Sequence, residues 1–204
     1  MRSAIPALFV FLFVASAAGA QSVSEDLRQA PTGRYGLEPN HSLVVFAIAH
    51  MGLTDYYGRF EKLSGTLNLD SAKPEKSAVS ITIDMTSINT PSPKLVGELT
   101  DAAVFNAAQF PTATFKSTSI VRTGSTTGKI TGDLTIKNVT KPVTLDVVFG
   151  GGRPNPMGGT YALGFHATTS IKRSDFGLTT MPWNQFVGGD VKLIIEAMFV
   201  QQKD

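Results

Sequence analysis

The nine residues Ser170–Leu178, SIKRSDFGL, carry the densest chemistry in the chain. Lys172, Arg173 and Asp175 stand directly before Phe176 and Gly177, at the end of an alternating stretch. Arg173 offers a planar fork of donors and Ser174 a hydroxyl, together a clamp for a ligand head group. The same residues also suit a closing turn, in which Arg173 and Asp175 bond locally, Phe176 seals the end of a β-structure and Gly177 permits the reversal. Both readings stand at this level. As an enzyme feature the stretch is poor, with no histidine, second carboxylate or metal ligand beside it.

The three histidines, His41, His50 and His166, lack the compact spacing of a zinc site, which needs three or four N, S or O ligands. No metal site is therefore expected. His41 and Ser42 are neighbours, but neighbours in a strand point to opposite faces and cannot pair as base and nucleophile. The chain has no Gly-x-Ser-x-Gly motif and no cysteine, so no catalytic residue is assigned and an enzyme is not expected. Trp183, the one tryptophan, lies in TTMPWNQFVGG beside Met181 and Phe186. It reads either as a lid or lip in transient contact with a membrane, or as a core plug.

Composition narrows the class. The 204 residues carry 18 Lys and Arg against 16 Asp and Glu, with no Lys/Arg run longer than two, which argues against a nucleic-acid partner. The first twenty residues, MRSAIPALFVFLFVASAAGA, read as a cleaved secretory signal, which places the protein in the periplasm. Their apolar run is short for a membrane span of ~20 residues. Without cysteine, an exported chain must hold together by packing alone.

These residues need elements to position them. Residues 21–33 are polar and without period, a flexible lead-in. Beyond them, AVSITIDM, PVTLDVVF and TYALGFHATTSI alternate apolar and polar residues, the period of strands with two unlike faces. Gly-, Pro- and Asn-rich turns separate about eight such strands, in an order that suggests neighbouring hairpins. Long strands of this kind close most simply into an eight-stranded antiparallel barrel; a two-sheet sandwich is the alternative. The segment Pro91–Pro111 breaks the alternation and reads as a helical insert of one or two short helices over about residues 94–108, with Asp101 as an N-cap. SLVVFAIAHMG and VKLIIEAMFV are apolar on both faces, which calls for a covering helix or a homodimer. Small residues assigned to the inward faces, Ala47, Ala49, Gly65, Ala113, Gly164 and Ala167, either leave room along an apolar bore or relieve crowding at bends.

Four motifs in series carry a resemblance. YGLEPNHSLVVFAIAHMGLTDYYGRFEKLSGTLNLD opens it, followed by SINTPSPKLVGELTDAAVFNAAQFPTATFKSTSI, GDLTIKNVTKPVTLDVVF and GFHATTSIKRSDFGL. From Tyr35 onward the chain resembles the YceI-like family of periplasmic lipid-binding proteins, with residues 34–204 as its domain. The resemblance implies an all-β, lipocalin-like barrel whose apolar channel holds a polyisoprenoid, a quinone-like molecule or a fatty-acid derivative. It implies a carrier rather than a catalyst, with lipid as the ligand and no cofactor. On that basis the expected channel and mouth residues are Phe46, His50, Phe60, Leu99, Phe105, Phe115, Phe165, Arg173, Ser174, Asp175, Phe176 and Trp183. Two stretches depart from the family pattern, Gly97-Glu98-Leu99-Thr100 and Ala103-Val104-Phe105-Asn106. They make the mouth less charged and favour an uncharged or amide head group over a pyrophosphate. The rival functions are a structural or stress-related β domain with a filled core and, further off, a lipid-acting hydrolase.

Overall fold

The computed structural model describes residues 22–203 other than 157 and 182. The stretch read as an export signal lies outside them.

Eleven strands form one antiparallel sheet: β1 (Gly33–Leu37), β2 (Leu43–His50), β3 (Thr54–Phe60), β4 (Leu63–Leu69), β5 (Ala78–Asp84), β6 (Ile88–Asn89), β7 (Thr112–Arg122), β8 (Thr127–Ile136), β9 (Val139–Pro154), β10 (Tyr161–Lys172) and β11 (Val187–Gln201). Eight of them close a ring in the order β1-β4-β5-β7-β8-β9-β10-β11, sealed by pairing of β1 with β11. The barrel expected from the alternation is therefore present, and β2, β3 and β6 are additions to it. The fifteen-residue β11 explains how they fit. Along one edge Asp190–Val200 pairs with β10; along the other, Val187–Glu196 meets β2 and Phe199–Gln201 meets β1. The wall thus forks, with β1 and β4 closing one end and the β2–β3 hairpin with β6 standing at the other.

Inner faces follow the alternation. Val79, Ile81 and Ile83 of β5, Leu145 of β9 and Ile171 of β10 point into the barrel core with Val143. Ala113 and Ala167 face inward as expected, but Ala47, Ala49 and Gly164 do not. Phe46 and Ile48 take the inner face of β2, and Leu163 and Phe165 that of β10. β2 is apolar on both sides, so its period cannot say which side is in. On the outer face Ile194 and Tyr57 remain 41% and 52% exposed, and no helix covers them among the described residues.

The interior is solid at one end. Phe149, Phe165 and Phe199 stack there with centroids 5.3 and 6.0 Å apart, around the fully buried Tyr35. The Tyr35 hydroxyl donates to the Pro31 carbonyl at 2.6 Å, and burial pushes its pKa up to about 12. The lead-in is docked against this end instead of trailing free. Ser24 exchanges two 2.8 Å backbone bonds with Gly152, and Ala30 is 4% exposed.

The insert between β6 and β7 holds one helix, α1 (Pro93–Thr100). Ser92 caps it, accepting from the Leu95 N–H at 3.3 Å, and proline occupies the first turn. The expected helix to 108 ends at Thr100, because Asp101 turns to an extended ψ of 161° and closes the helix instead of starting one. Its carboxylate accepts from the Ala103 N–H at 3.0 Å, and residues 101–110 continue as hydrogen-bonded turns. No helix among the described residues is long and apolar enough to cross a membrane.

Candidate functional site

The other end of the barrel is hollow. A cavity of about 290 Å³ lies between the β2–β3 hairpin, the first half of β11 and the facing strands, under α1 and the loop after β10. Val44, Phe46, Ile48 and His50 line it from β2, Tyr56 and Phe60 from β3, and Val191 and Leu193 from β11. Gly58 makes room for this wall: a side chain there would lie 2.2 Å from Cζ of Phe46, whose ring covers the glycine. Phe46, Phe60 and Phe105 follow one another at centroid distances of 6.0 and 6.1 Å, an aromatic path from wall to lid. The lining is otherwise aliphatic, with polar atoms only on His50, Tyr56, Arg173 and Trp183.

The lid has three parts held to one another. α1 contributes Leu95 and Leu99, the turns after it Val104 and Phe105, and the loop after β10 Leu178, Met181 and Trp183. The Trp183 indole donates to the Glu98 carboxylate at 2.9 Å, and the Thr180 hydroxyl to the Ala103 carbonyl at 2.9 Å. Lys137, in the β8–β9 turn, donates to the Val104 carbonyl at 3.1 Å.

Arg173 is 7% exposed and, among the described residues, meets no carboxylate. Nε donates to the Gly188 carbonyl at 2.7 Å, Nη1 to the Leu178 carbonyl at 3.0 Å and Asn184 Oδ1 at 2.7 Å, and Nη2 to the Val187 carbonyl at 3.3 Å. Burial lowers its pKa from the usual value. The fork expected at the mouth thus staples the end of β10 to the start of β11, and Gly177, at φ 68°, closes the turn by donating to Ser174. Ser174 and Asp175 are exposed and lie outside the cavity lining.

Seven of the twelve expected residues line the cavity: Phe46, His50, Phe60, Leu99, Phe105, Arg173 and Trp183. The other five do not. Phe165 sits in the solid end, while Phe115 and Phe176 are buried in the barrel core behind the lining. The alternation puts an aromatic inside without saying at what depth. Tyr56, Met181, Leu193 and Phe186 were missed; Tyr56 was accessible in principle, since it pairs with Ile48 across the hairpin. Its hydroxyl is buried and has no hydrogen-bond partner.

The histidines part company. His41 bonds Glu38 at 2.5 Å on the surface, His166 bonds Glu196 at 2.5 Å on the outer wall, and His50 alone faces the cavity. Among the described residues no three His, Cys, Asp or Glu come together as a metal site. Ser42 donates to the Glu38 carbonyl at 2.7 Å and accepts from the Met198 N–H at 3.0 Å, which ties the β1–β2 connection to β11.

Residues 35–199 match the model of the YceI-like domain. The chain belongs to the YceI-like family. Protein YceI of Salmonella arizonae is 40% identical over 168 residues, covering 81% of this chain and 85% of that protein. A UPF0312 protein of Ectopseudomonas mendocina is 39% identical over 153 residues, 74% of this chain and 80% of its own. Among solved structures, BcnA of Burkholderia cenocepacia superposes with a TM-score of 0.69 at 26% identity, over 77% of this chain and 95% of that one. A polyisoprenoid binding domain from Saccharophagus degradans, implicated in plant cell wall breakdown, shares the fold at 17% identity with a TM-score of 0.63, over 82% of this chain and 98% of that one. These likenesses give the chain its family and its fold.

Proposed function

We propose that the protein is an exported carrier of a long-chain amphiphile, its tail in the cavity and its head group at the mouth under the lid. The observation that carries the reading is the cavity itself, an apolar chamber of about 290 Å³ at the open end of a closed barrel. Each methylene moved from water into such a lining contributes roughly 0.8 kcal/mol, offset in part by the lost freedom of the chain. The volume lies at the lower edge of the ~300–1,000 Å³ usual for small-molecule sites, so a long tail continues through the mouth. Export to the periplasm rests on the composition of the first twenty residues.

The head group is uncharged. An anionic head would need free donors, and the Arg173 and Trp183 donors are engaged within the protein. The buried Tyr56 hydroxyl has no partner and, with the His50 imidazole on the same wall, suits a carbonyl, ester, amide or alcohol oxygen. A polyisoprenol, a quinone-like molecule or a fatty amide meets this description. The cavity wall offers no serine or cysteine nucleophile, and the reading includes no chemistry on the ligand.

Mass spectrometry of an organic extract, from protein purified without detergent, tests it. The expected result is one class of long-chain amphiphile with a neutral head, near one per protein. An empty extract, joined to failure of delipidated protein to take up a polyisoprenol, would overturn the carrier in favour of a structural domain.

A further inference from the structure

The hairpin between β2 and β3 turns on Met51 and Gly52, both left-handed at φ 55° and 68°. The Leu53 N–H closes it by donating to the His50 carbonyl at 3.0 Å. Two successive left-handed residues make the tight hairpin turn that favours Asn-Gly or Gly-Gly, because a side chain at the first position crowds its own backbone. Gly52 suits this turn and Met51 does not. The fold bears that strain to hold an apolar side chain in water: Met51 is 59% exposed and Leu53 is 79% exposed.

A third apolar residue adjoins them. The Met51 N–H donates to the Phe186 carbonyl at 2.7 Å, and Phe186 is 46% exposed. Phe186 also lines the cavity, as do His50 and Val187, so the cavity wall reaches the strand ends that carry this rim. The rim is uncharged. Residues 50–54 and 183–189 contain no Lys, Arg, Asp or Glu, and Asp55 on the flank is paired with Lys192 at 3.0 Å.

We propose that Met51, Leu53 and Phe186 form a lip that enters the interfacial layer of a lipid bilayer and brings the cavity mouth against it. Three exposed side chains at a hairpin tip offer far less than the ~800 Å² per partner of a stable protein interface. They fit a fluid apolar medium, which is also where a water-insoluble cargo would be collected. That purpose rests on the carrier reading; contact with the bilayer is a separate property. Without charge at the tip, contact gains nothing from anionic lipid and is not screened by salt.

Flotation with vesicles tests the lip, using protein recovered after export with its amino terminus established by intact mass. Wild-type protein floats with phosphatidylcholine vesicles, and added phosphatidylglycerol or high salt changes the partition coefficient by less than about twofold. Leu53→Ser and Phe186→Ser each lower it about tenfold. Met51→Asn lowers it too while raising the thermal midpoint, since asparagine suits the left-handed position. A structural role for Met51 would not move the two readouts in opposite directions. No flotation, equal flotation of all variants, or flotation confined to anionic vesicles at low salt overturns the lip. A wild-type dimer that Leu53→Ser dissociates, without flotation, gives the surface to a second copy and also overturns it. Uptake of a short polyisoprenol from solution, followed by Trp183 fluorescence, is unchanged in Met51→Asn and Leu53→Ser. Failed uptake with flotation intact counts against the carrier alone, and failed flotation with uptake intact counts against the lip alone.

Discussion

The indole of Trp183 and the carboxylate of Glu98 meet at 2.9 Å across 85 positions of sequence, and their bond joins two of the three parts of the lid. α1 stands on one side and the loop after β10 on the other, both lining the cavity. Removing this bond should loosen the lid without disturbing the barrel. Glu98→Ala should raise the rate of ligand release about fivefold, consistent with ~1 kcal/mol for a partly exposed bond to a charged acceptor. Trp183→Phe, which keeps an aromatic ring and loses the donor, should do the same. Lys94→Ala should not, since its ammonium lies 3.8 Å from Glu98 and is largely in water. Stopped-flow displacement of a fluorescent polyisoprenol analogue measures all three; equal rates would show that the lid is held by packing alone.

Arg173 holds the loop from beneath. Arg173→Ala leaves the Leu178, Val187 and Gly188 carbonyls without their donor in a setting that is buried at Leu178 and partly buried at the other two. The expected loss is about 3 kcal/mol or more, a fall in thermal midpoint of roughly 6–12 °C for a domain of this size. Arg173→Lys should recover little, because one ammonium cannot reach acceptors on both sides of the turn. A midpoint within two degrees of wild type, at about that precision, would remove the staple.

How much of this was legible follows from where the partners lie. The strands of the barrel were readable because runs such as Val143, Leu145 and Val147 alternate with polar residues, here Thr144 and Asp146. The fork in the wall was not, since β2 is apolar on both faces and nothing local distinguishes Phe46 from Ala47 as the inner residue. Arg173 was recognised as important but its role stayed open, because its acceptors at Val187 and Gly188 lie in the next strand. Phe165 was placed in the channel because inward direction is periodic, whereas depth depends on how far β10 runs past its neighbours. Alternation pointed to the barrel and the motifs to the family; neither showed that one end of it is solid.

Tyr56 links stability to ligand chemistry. Its buried hydroxyl has no partner, a cost of about 1–3 kcal/mol that Tyr56→Phe should partly relieve. The ligand-free variant should melt a few degrees higher, at about 2–4 °C per kcal/mol. Affinity for an amphiphile with a carbonyl or hydroxyl head should fall up to about tenfold, and that for a plain long-chain alkane should stay the same. Equal losses for both ligands would mean that the ring, and not the hydroxyl, makes the contact.

Acid should weaken the turn that Asp84 caps. Hydrogen bonding from the Thr86 hydroxyl, then from its backbone N–H, holds the Asp84 carboxyl below its ordinary value of 3.8 despite some burial. A lowered folded pKa means stability that is present above the ordinary value and lost as pH falls through the folded one. Asp84 also caps the turn that leads from β5 to β6, beneath the cavity. Asp84→Asn should therefore be less stable than wild type at neutral pH and lose less on acidification below about pH 4. Urea midpoints at pH 7 and pH 3 measure the difference, and parallel losses in both proteins would clear Asp84 of the effect.

Filling the cavity is the direct test of what it is for. Ala113 is 3% exposed, lies on β7 opposite Ile83 and lines the chamber. In Ala113→Phe a ring projects into space that Phe60, Phe105 and Leu134 surround without filling. Overpacking a close-packed core costs about 1–3 kcal/mol, but here the added atoms meet a void, so the cost should lie at or below the low end. The variant should fold, keep its circular dichroism and lose most uptake of long-chain ligand. A variant that misfolds can be replaced by Ala113→Leu, which adds less volume and should give a partial loss. Full uptake by a well-folded Ala113→Phe would mean that the amphiphile sits elsewhere, and the chamber would then be only a gap in the packing.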